Sequence, residues 1–172
     1  MSISWLHGGE DERHMRWALA EAELAAQEGE VPVGAIVVHP EMGVIARAHN
    51  EKERLRDATA HAEVLAIGQA SEALGAWRLA GTTVYSTLEP CPMCAGALIQ
   101  ARVARLVFGA RDPKAGAVVS VAHLLEPGLF NHDIEWEEGV LDVECGAILS
   151  EFFRGRRGGS GGGGLPGPAP SE

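Results

Sequence analysis

Side chains suited to metal binding fall at two places in the chain, each just ahead of a segment patterned as a helix. One is His61 in His61-Ala62-Glu63; the others are Cys91 and Cys94 in Pro90-Cys91-Pro92-Met93-Cys94. A fold that uses them together must bring two helix starts into contact across the 30 residues that separate His61 from Cys91. Taken alone, each feature is ambiguous. A single histidine is more often a hydrogen-bonded structural residue than a ligand, and a Cys-x-x-Cys can be a redox pair or half of a structural zinc site. Together they supply three nitrogen and sulfur ligands and leave one tetrahedral position open, the arrangement of a catalytic zinc. Cys145, the remaining cysteine, lies among Leu141, Ala147, Ile148 and Leu149 and reads as a buried, inert thiol.

Glu63 follows His61 by two residues, about 200° around a helix, so the two cannot ligate from one face. The spacing suits a division of labour in which His61 reaches the metal while Glu63, beside the substrate, exchanges protons with the activated water. The plainer alternative for Glu63 is a carboxylate that only complements the helix dipole. Both ligand segments open helices, where backbone N–H groups and the positive dipole end favour thiolates.

The rest of the sequence bounds the fold. At 172 residues, with 46% hydrophobic and 22% charged side chains, the chain fits one globular domain. No run approaches the about 18 consecutive apolar residues of a membrane span. The first residues lack a basic-then-apolar signal pattern, and three cysteines cannot pair evenly. A cytoplasmic protein with no membrane partner is expected.

Apolar residues at helical spacing (Met15, Ala18, Leu19, Ala22, Ala25) predict a helix over residues 11–27. A strand over 33–38 follows, with a hairpin partner at 44–46, a polar surface loop over 50–59 and a helix over 60–74. A strand at 82–87, a helix at 93–101 and a strand at 103–108 imply a parallel pair with a crossover helix. Residues 134–136 are a candidate fifth strand, and 140–153 a closing helix. The expected division is a domain at 1–157 and a flexible Gly/Pro-rich tail at 158–172.

His-x-Glu followed by Pro-Cys-x-x-Cys resembles the signature of the zinc-dependent nucleobase deaminases. The likeness runs from Glu12 to Arg157 and is similar to their bacterial tRNA-specific adenosine deaminase branch. It includes Glu30-Val31-Pro32-Val33-Gly34-Ala35, Thr59-Ala60-His61-Ala62-Glu63 and Thr87-Leu88-Glu89-Pro90-Cys91. Cys94-Ala95-Gly96-Ala97, Val107-Phe108-Gly109-Ala110-Arg111-Asp112 and Phe152-Phe153-Arg154-Gly155-Arg156-Arg157 follow in the same order.

The resemblance implies a three-layer α/β/α cytidine-deaminase-like fold with a five-stranded mixed sheet, a homodimer, and conversion of adenosine to inosine at the first anticodon position of a tRNA. It further implies that His61, Cys91 and Cys94 hold one zinc ion per subunit and that Glu63 shuttles protons between water, ring N1 and the leaving ammonia. Asn50 would hold the flipped nucleotide, the Ala62 backbone N–H would bind the purine edge, Val31, Leu88 and Phe153 would surround the base, and Asp112 would face the nucleotide.

A net charge of −10, from 14 basic against 24 acidic residues, has the wrong sign for a phosphate-binding surface. A deaminase of a free nucleobase or nucleoside, such as guanine or cytosine, would need no basic surface and is the competing reading. In favour of RNA stand the cluster Arg154, Arg156 and Arg157 beside Phe152-Phe153, and Arg111 and Lys114 around the loop after a strand. A zinc-stabilised binding module is a third reading, and it requires a fourth protein ligand.

Overall fold

The computed structural model describes residues 8–158; of the expected tail at 158–172, Gly158 ends a helix and residues 159–172 lie outside the described residues. Ten elements follow in order: α1 (Gly8–Gln27), β1 (Gly34–His39), β2 (Gly43–His49), α2 (Lys52–Leu55), α3 (Ala62–Leu74), β3 (Thr83–Leu88), α4 (Pro92–Gln100), β4 (Arg105–Ala110), β5 (Glu135–Glu138) and α5 (Asp142–Gly158). The strands form one mixed sheet in the order β2-β1-β3-β4-β5. β1 pairs antiparallel with β2 and β3, whereas β3–β4 and β4–β5 are parallel.

Alternation along the strands divides the interior in two. Ala35, Val37, Val84, Leu106 and Phe108 pack with Ala62, Ala66 and Ala70 of α3 and Leu98 and Ile99 of α4. Their sequence neighbours Ile36, Tyr85 and Val107 pack on the other face with Met15 and Ala18 of α1 and Cys145 of α5. The result is the expected three-layer α/β/α arrangement. Because both sheet faces are covered, β1 and β4 read as largely apolar runs, whereas the middle strand β3 buries Ser86 and Thr87. Gly34 is required beneath α1, where a Cβ would collide with the Ala18 carbonyl and the Ala22 amide.

The boundaries differ from the sequence expectation in instructive places. Residues 50–59 are not simply a surface loop, because they contain α2, and Asn50 is buried. The cause is distant in sequence: the buried carboxylate of Glu30 accepts the N–H groups of Glu53 (3.1 Å) and Arg54 (2.7 Å). Asn50 Oδ1 accepts that of Lys52 (3.2 Å). Borrowed acceptors therefore cap a turn whose own residues carry little apolar pattern. β2 runs on to His49 through its register with β1, and α5 continues to Gly158 with Arg156 and Arg157 in its last turn, where cations complement the dipole. Among the described residues no helix is long and apolar enough to cross a membrane.

Polar clamps join the layers. Asp11 of α1, 2% exposed, accepts from Tyr85 Oη (2.7 Å) and from both terminal nitrogens of Arg105 (2.8 Å each), and Arg105 also meets Glu137 (2.7 Å). Near the other end of α1, His49 Nδ1 lies 3.1 Å from Glu21 and Nε2 lies 3.1 Å from Glu28, with Glu51, Arg47 and Arg54 around them. Burial opposes protonation of His49, but the contacts with Glu21 and Glu28 outweigh it and raise its pKa above the ordinary 6.5.

Two stability measurements follow from these clamps. Asp11→Ala strands the buried Tyr85 hydroxyl and leaves the half-buried Arg105 with Glu137, and should cost about 3 kcal/mol in urea unfolding, whereas Tyr85→Phe should cost about 1 kcal/mol. For His49 the raised folded-state pKa means that its contribution is fully present below pH 6.5 and is lost as pH rises through the raised value. Wild-type unfolding free energy should therefore fall over that window relative to His49→Gln; parallel pH profiles would refute the clamp.

Candidate metal centre and active site

His61 and Cys91 occupy equivalent positions in two supersecondary units. Each is the residue before a helix, with extended backbone (φ −76°, ψ 151° and φ −72°, ψ 172°), ahead of α3 and α4 respectively. Pro92, the first residue of α4, pre-sets the helical backbone and has no N–H to leave unpaired. Cys94 lies in the first turn of α4 and is fully buried. His61 Nδ1 lies 3.6 Å from Cys91 Sγ and 3.5 Å from Cys94 Sγ.

These separations suit a tetrahedral metal. Zinc–nitrogen bonds near 2.05 Å and zinc–sulfur bonds near 2.3 Å, opened to a tetrahedral angle, place N and S about 3.6 Å apart. The three donor atoms all lie within 4.8 Å of one another. Two cysteines and one histidine form a borderline-soft donor set, so the residues present fit zinc and leave a coordination position for water or substrate. Hydrogen bonding to Cys94 and His61 holds the Cys91 thiol down at about 4 despite its burial, while the neighbouring Cys91 and burial keep the proton on Cys94. Contact with Cys91 raises the pKa of His61.

Glu63, 4% exposed, lies beside this centre with Oε2 3.5 Å from Cys94 Sγ. Burial pushes its carboxyl above the usual carboxylate range. Its Oε1 is 3.1 Å from Ser86 Oγ, which in turn is 2.8 Å from the Leu88 carbonyl. A hydroxyl carries one proton, so both contacts are satisfied at once when Glu63 is protonated and donates to Ser86. The environment suits a carboxyl that holds and releases a proton.

A cavity of about 210 Å³ opens over the centre. His61, Glu63, Cys91, Val31, Asn50, Ala62, Leu88 and Asp112 line it, so the structure gathers nearly every expected catalytic and substrate position. Ala62 is the first residue of α3, where helix N–H groups lack an intrahelical acceptor. Asn50 is clamped, its Nδ2 donating to the Val31 carbonyl (3.1 Å). Asp112 Oδ1 accepts from the Lys114 and Ala115 amides at 3.0 and 3.3 Å.

Other expected contacts lie elsewhere. Phe153 is absent from the lining; it is 43% exposed on α5 and packs edge-on against Phe152. Arg111 is held by Glu138 at 2.7 and 2.6 Å. Lys114, Arg154, Arg156 and Arg157 are exposed, with Arg156 stacked over Phe152 and donating to the Gly29 carbonyl. Sequence reasoning missed Val33, Lys52, Glu89 and Ala115 in the lining. For Glu89 a signal existed, since an acid directly after a strand of β-branched and aromatic residues, and before Pro90-Cys91, is out of pattern.

The sequence matches the family of MafB19-like deaminases over residues 9–157. The chain belongs to that family. It is similar to the tRNA-specific adenosine deaminase of Bacillus subtilis (strain 168), 52% identical over 146 residues that cover 84% of this chain and 89% of the relative. A structure solved in work on A-to-I editing by tRNA:A34 deaminases superposes with TM-score 0.75 at 45% identity, over 80% of this chain and 99% of that one. The guanine deaminase of Nitrosomonas europaea superposes with TM-score 0.72 at 27% identity, covering 82% and 83%.

Within this family fold Cys145 stands apart from the centre, fully buried, with burial pushing its thiol up to about 12. Alkylation of the native, chelator-treated chain should modify Cys91 and leave Cys145 untouched until urea is added. Mass spectrometry after digestion reads this directly, and native modification of Cys145 would refute its burial.

Proposed function

We propose that this chain deaminates adenosine to inosine at the first anticodon position of a tRNA, with the activity carried by residues 1–157. The observation that carries the reading is the buried Glu63 carboxyl beside the His61-Cys91-Cys94 donor set on one small cavity. The adenosine substrate is supported by 52% identity to a tRNA-specific adenosine deaminase. The same reading makes the enzyme a cytoplasmic homodimer that binds the anticodon stem-loop, with one zinc per subunit.

Zinc held by His61, Cys91 and Cys94 supplies Lewis-acid activation of water at neutral pH. Glu63 accepts a proton from the attacking water and delivers it to ring N1 as C6 becomes tetrahedral. It then moves the second water proton to the exocyclic amine, which leaves as ammonia and closes the balance of adenosine plus water to inosine plus ammonia. The short path from Cys94 to Glu63 and the hydrogen bond to Ser86 keep the carboxyl aimed at this position. The Ala62 N–H at the start of α3 would hold the purine edge, Val31 and Leu88 would flank the ring, Asn50 would hold the flipped nucleotide, and Asp112 would face the nucleotide and its neighbours. Phe153, Arg154, Arg156, Arg157, Arg111 and Lys114 would meet the RNA outside the cavity.

The acidic total and the guanine deaminase likeness favour a second reading, deamination of a free base. One experiment separates the two: zinc-loaded protein is offered an anticodon stem-loop with adenosine at the first position, beside free adenosine, adenine, cytosine and guanine. Inosine should form in the stem-loop alone. Glu63→Gln should lower the rate by about 10²–10⁴-fold with zinc retained, whereas Cys91→Ala should lose the metal. Turnover of a free base with the stem-loop untouched would replace the RNA reading.

A further inference from the structure

Glu89 follows the last residue of β3 and precedes Pro90-Cys91 at the metal centre. It is 1% exposed and lines the cavity, yet the proton transfers above make no use of it. Its two oxygens accept five hydrogen bonds. Oε1 takes the amides of Val118 (3.1 Å), Val119 (2.7 Å) and Ser120 (2.9 Å); Oε2 takes the amide of Asp112 (3.0 Å) and the Ser120 hydroxyl. All five donors belong to one segment, residues 112–120, which leaves the end of β4.

Two backbone bonds reinforce the join: Glu89 N–H donates to the Ala110 carbonyl (2.8 Å), and Ala117 N–H donates to the Pro90 carbonyl (2.8 Å). Gly116 packs so closely on the Glu89 carboxylate that a Cβ there would overlap it. A buried carboxylate needs its charge met by donors. Here the loop backbone and one hydroxyl supply them, so lifting the loop would strip the anion of these partners together. The loop carries Asp112 and Ala115, which face the same cavity as His61 and Glu63.

We propose that Glu89 is a positioning residue that sets substrate affinity by locking the 112–120 loop onto the metal-binding turn, without taking part in proton transfer. This rests on the deaminase reading. The substitution Glu89→Gln tests it selectively. If the amide oxygen keeps the three amides of Val118, Val119 and Ser120, the amide nitrogen faces the Asp112 N–H, donor against donor, while the Ser120 hydroxyl can turn to accept. One contact, at Asp112, is then lost and the rest survive. Gly116→Ala is the complementary variant, displacing the loop with the carboxylate intact.

Both variants and the wild type are measured by hydrogen exchange, zinc content and steady-state kinetics on the anticodon stem-loop. In both variants, amide exchange should quicken within residues 112–120 alone, with one zinc per chain retained. For Glu89→Gln, KM should rise at least about tenfold, as expected for loss of one hydrogen bond to a charged group; Gly116→Ala should raise KM in the same direction, and kcat stays within about twofold in both. A fall in kcat at unchanged KM would place Glu89 in the chemistry and overturn the proposal. Exchange quickening across the whole chain, in step with a lowered Tm, would reduce Glu89 to a general stability role and overturn it equally. If wild-type protein leaves the stem-loop untouched, the substrate reading falls. Exchange, which needs no substrate, still tests the lock, and unchanged exchange in 112–120 would overturn it.

Discussion

The meeting of two helix starts at one end of β3 is the constraint on which the rest of the site depends. His61 and Cys91 each sit one residue ahead of a helix, and only a close approach of α3 and α4 puts their donor atoms 3.6 Å apart. Alanines help that approach: Ala62, Ala66 and Ala70, fully buried at four-residue spacing, let α3 lie close on the sheet. Sheet pairing then brings the other segments to the same end. Antiparallel pairing of Ala35 with Ser86 carries the residues before β1 to the end of β3, and parallel pairing of Leu88 with Ala110 carries the segment after β4 there as well. Val31, Leu88 and Asp112, distant in sequence, line one cavity for that reason. Open α/β sheets commonly bind ligands beyond the carboxyl ends of parallel strands, and this cavity follows the same rule.

Net charge overstates the acidity of such a surface, because five of the chain's 24 acids, all among the described residues, are interior. Asp11, Glu21, Glu30, Glu63 and Glu89 are all buried. Asp11 is bound to Arg105 and Tyr85, Glu21 to Arg47 and His49, and Glu30 and Glu89 to backbone amides. A carboxylate committed in this way neutralises an internal partner or satisfies main-chain donors. It contributes to the formal −10 without presenting an acidic face to solvent. The basic residues that end α5, by contrast, are exposed, so the field a polyanion would meet depends on where charges lie and not on their sum.

Local pattern made the framework legible, and long-range contact hid the remainder. Five strands, the long helices and the triad at two helix starts follow from periodicity of 2 and 3.6 residues and from ligand spacing. α2 was not legible, because its cap comes from Glu30, more than 20 residues upstream. Nor was the engagement of Asn50, which turns both ends of its amide to backbone groups. The family resemblance put Phe153 around the base, but the geometry of α5 leaves it 43% exposed against Phe152 and outside the cavity lining. For α2 and for the amide nitrogen of Asn50 the deciding partner lies about 20 residues away in the chain, beyond a local window.

Glu30 and Glu89 show one physical device used twice around the cavity. Each is a buried carboxylate whose donors are mainly main-chain amides of a neighbouring segment: the short helix α2 after Asn50 for Glu30, and the loop from Asp112, with the Ser120 hydroxyl, for Glu89. Irregular backbone next to a small cavity has no ladder of its own to fix it, and an apolar neighbour could hold its side chains but not its amides. An anion accepting several amides fixes the main chain itself and does so with little dependence on the side chains the segment carries. Away from Gly116 and Ser120, which meet the carboxylate directly, such segments can vary in the residues they present to a substrate while two glutamates set their paths.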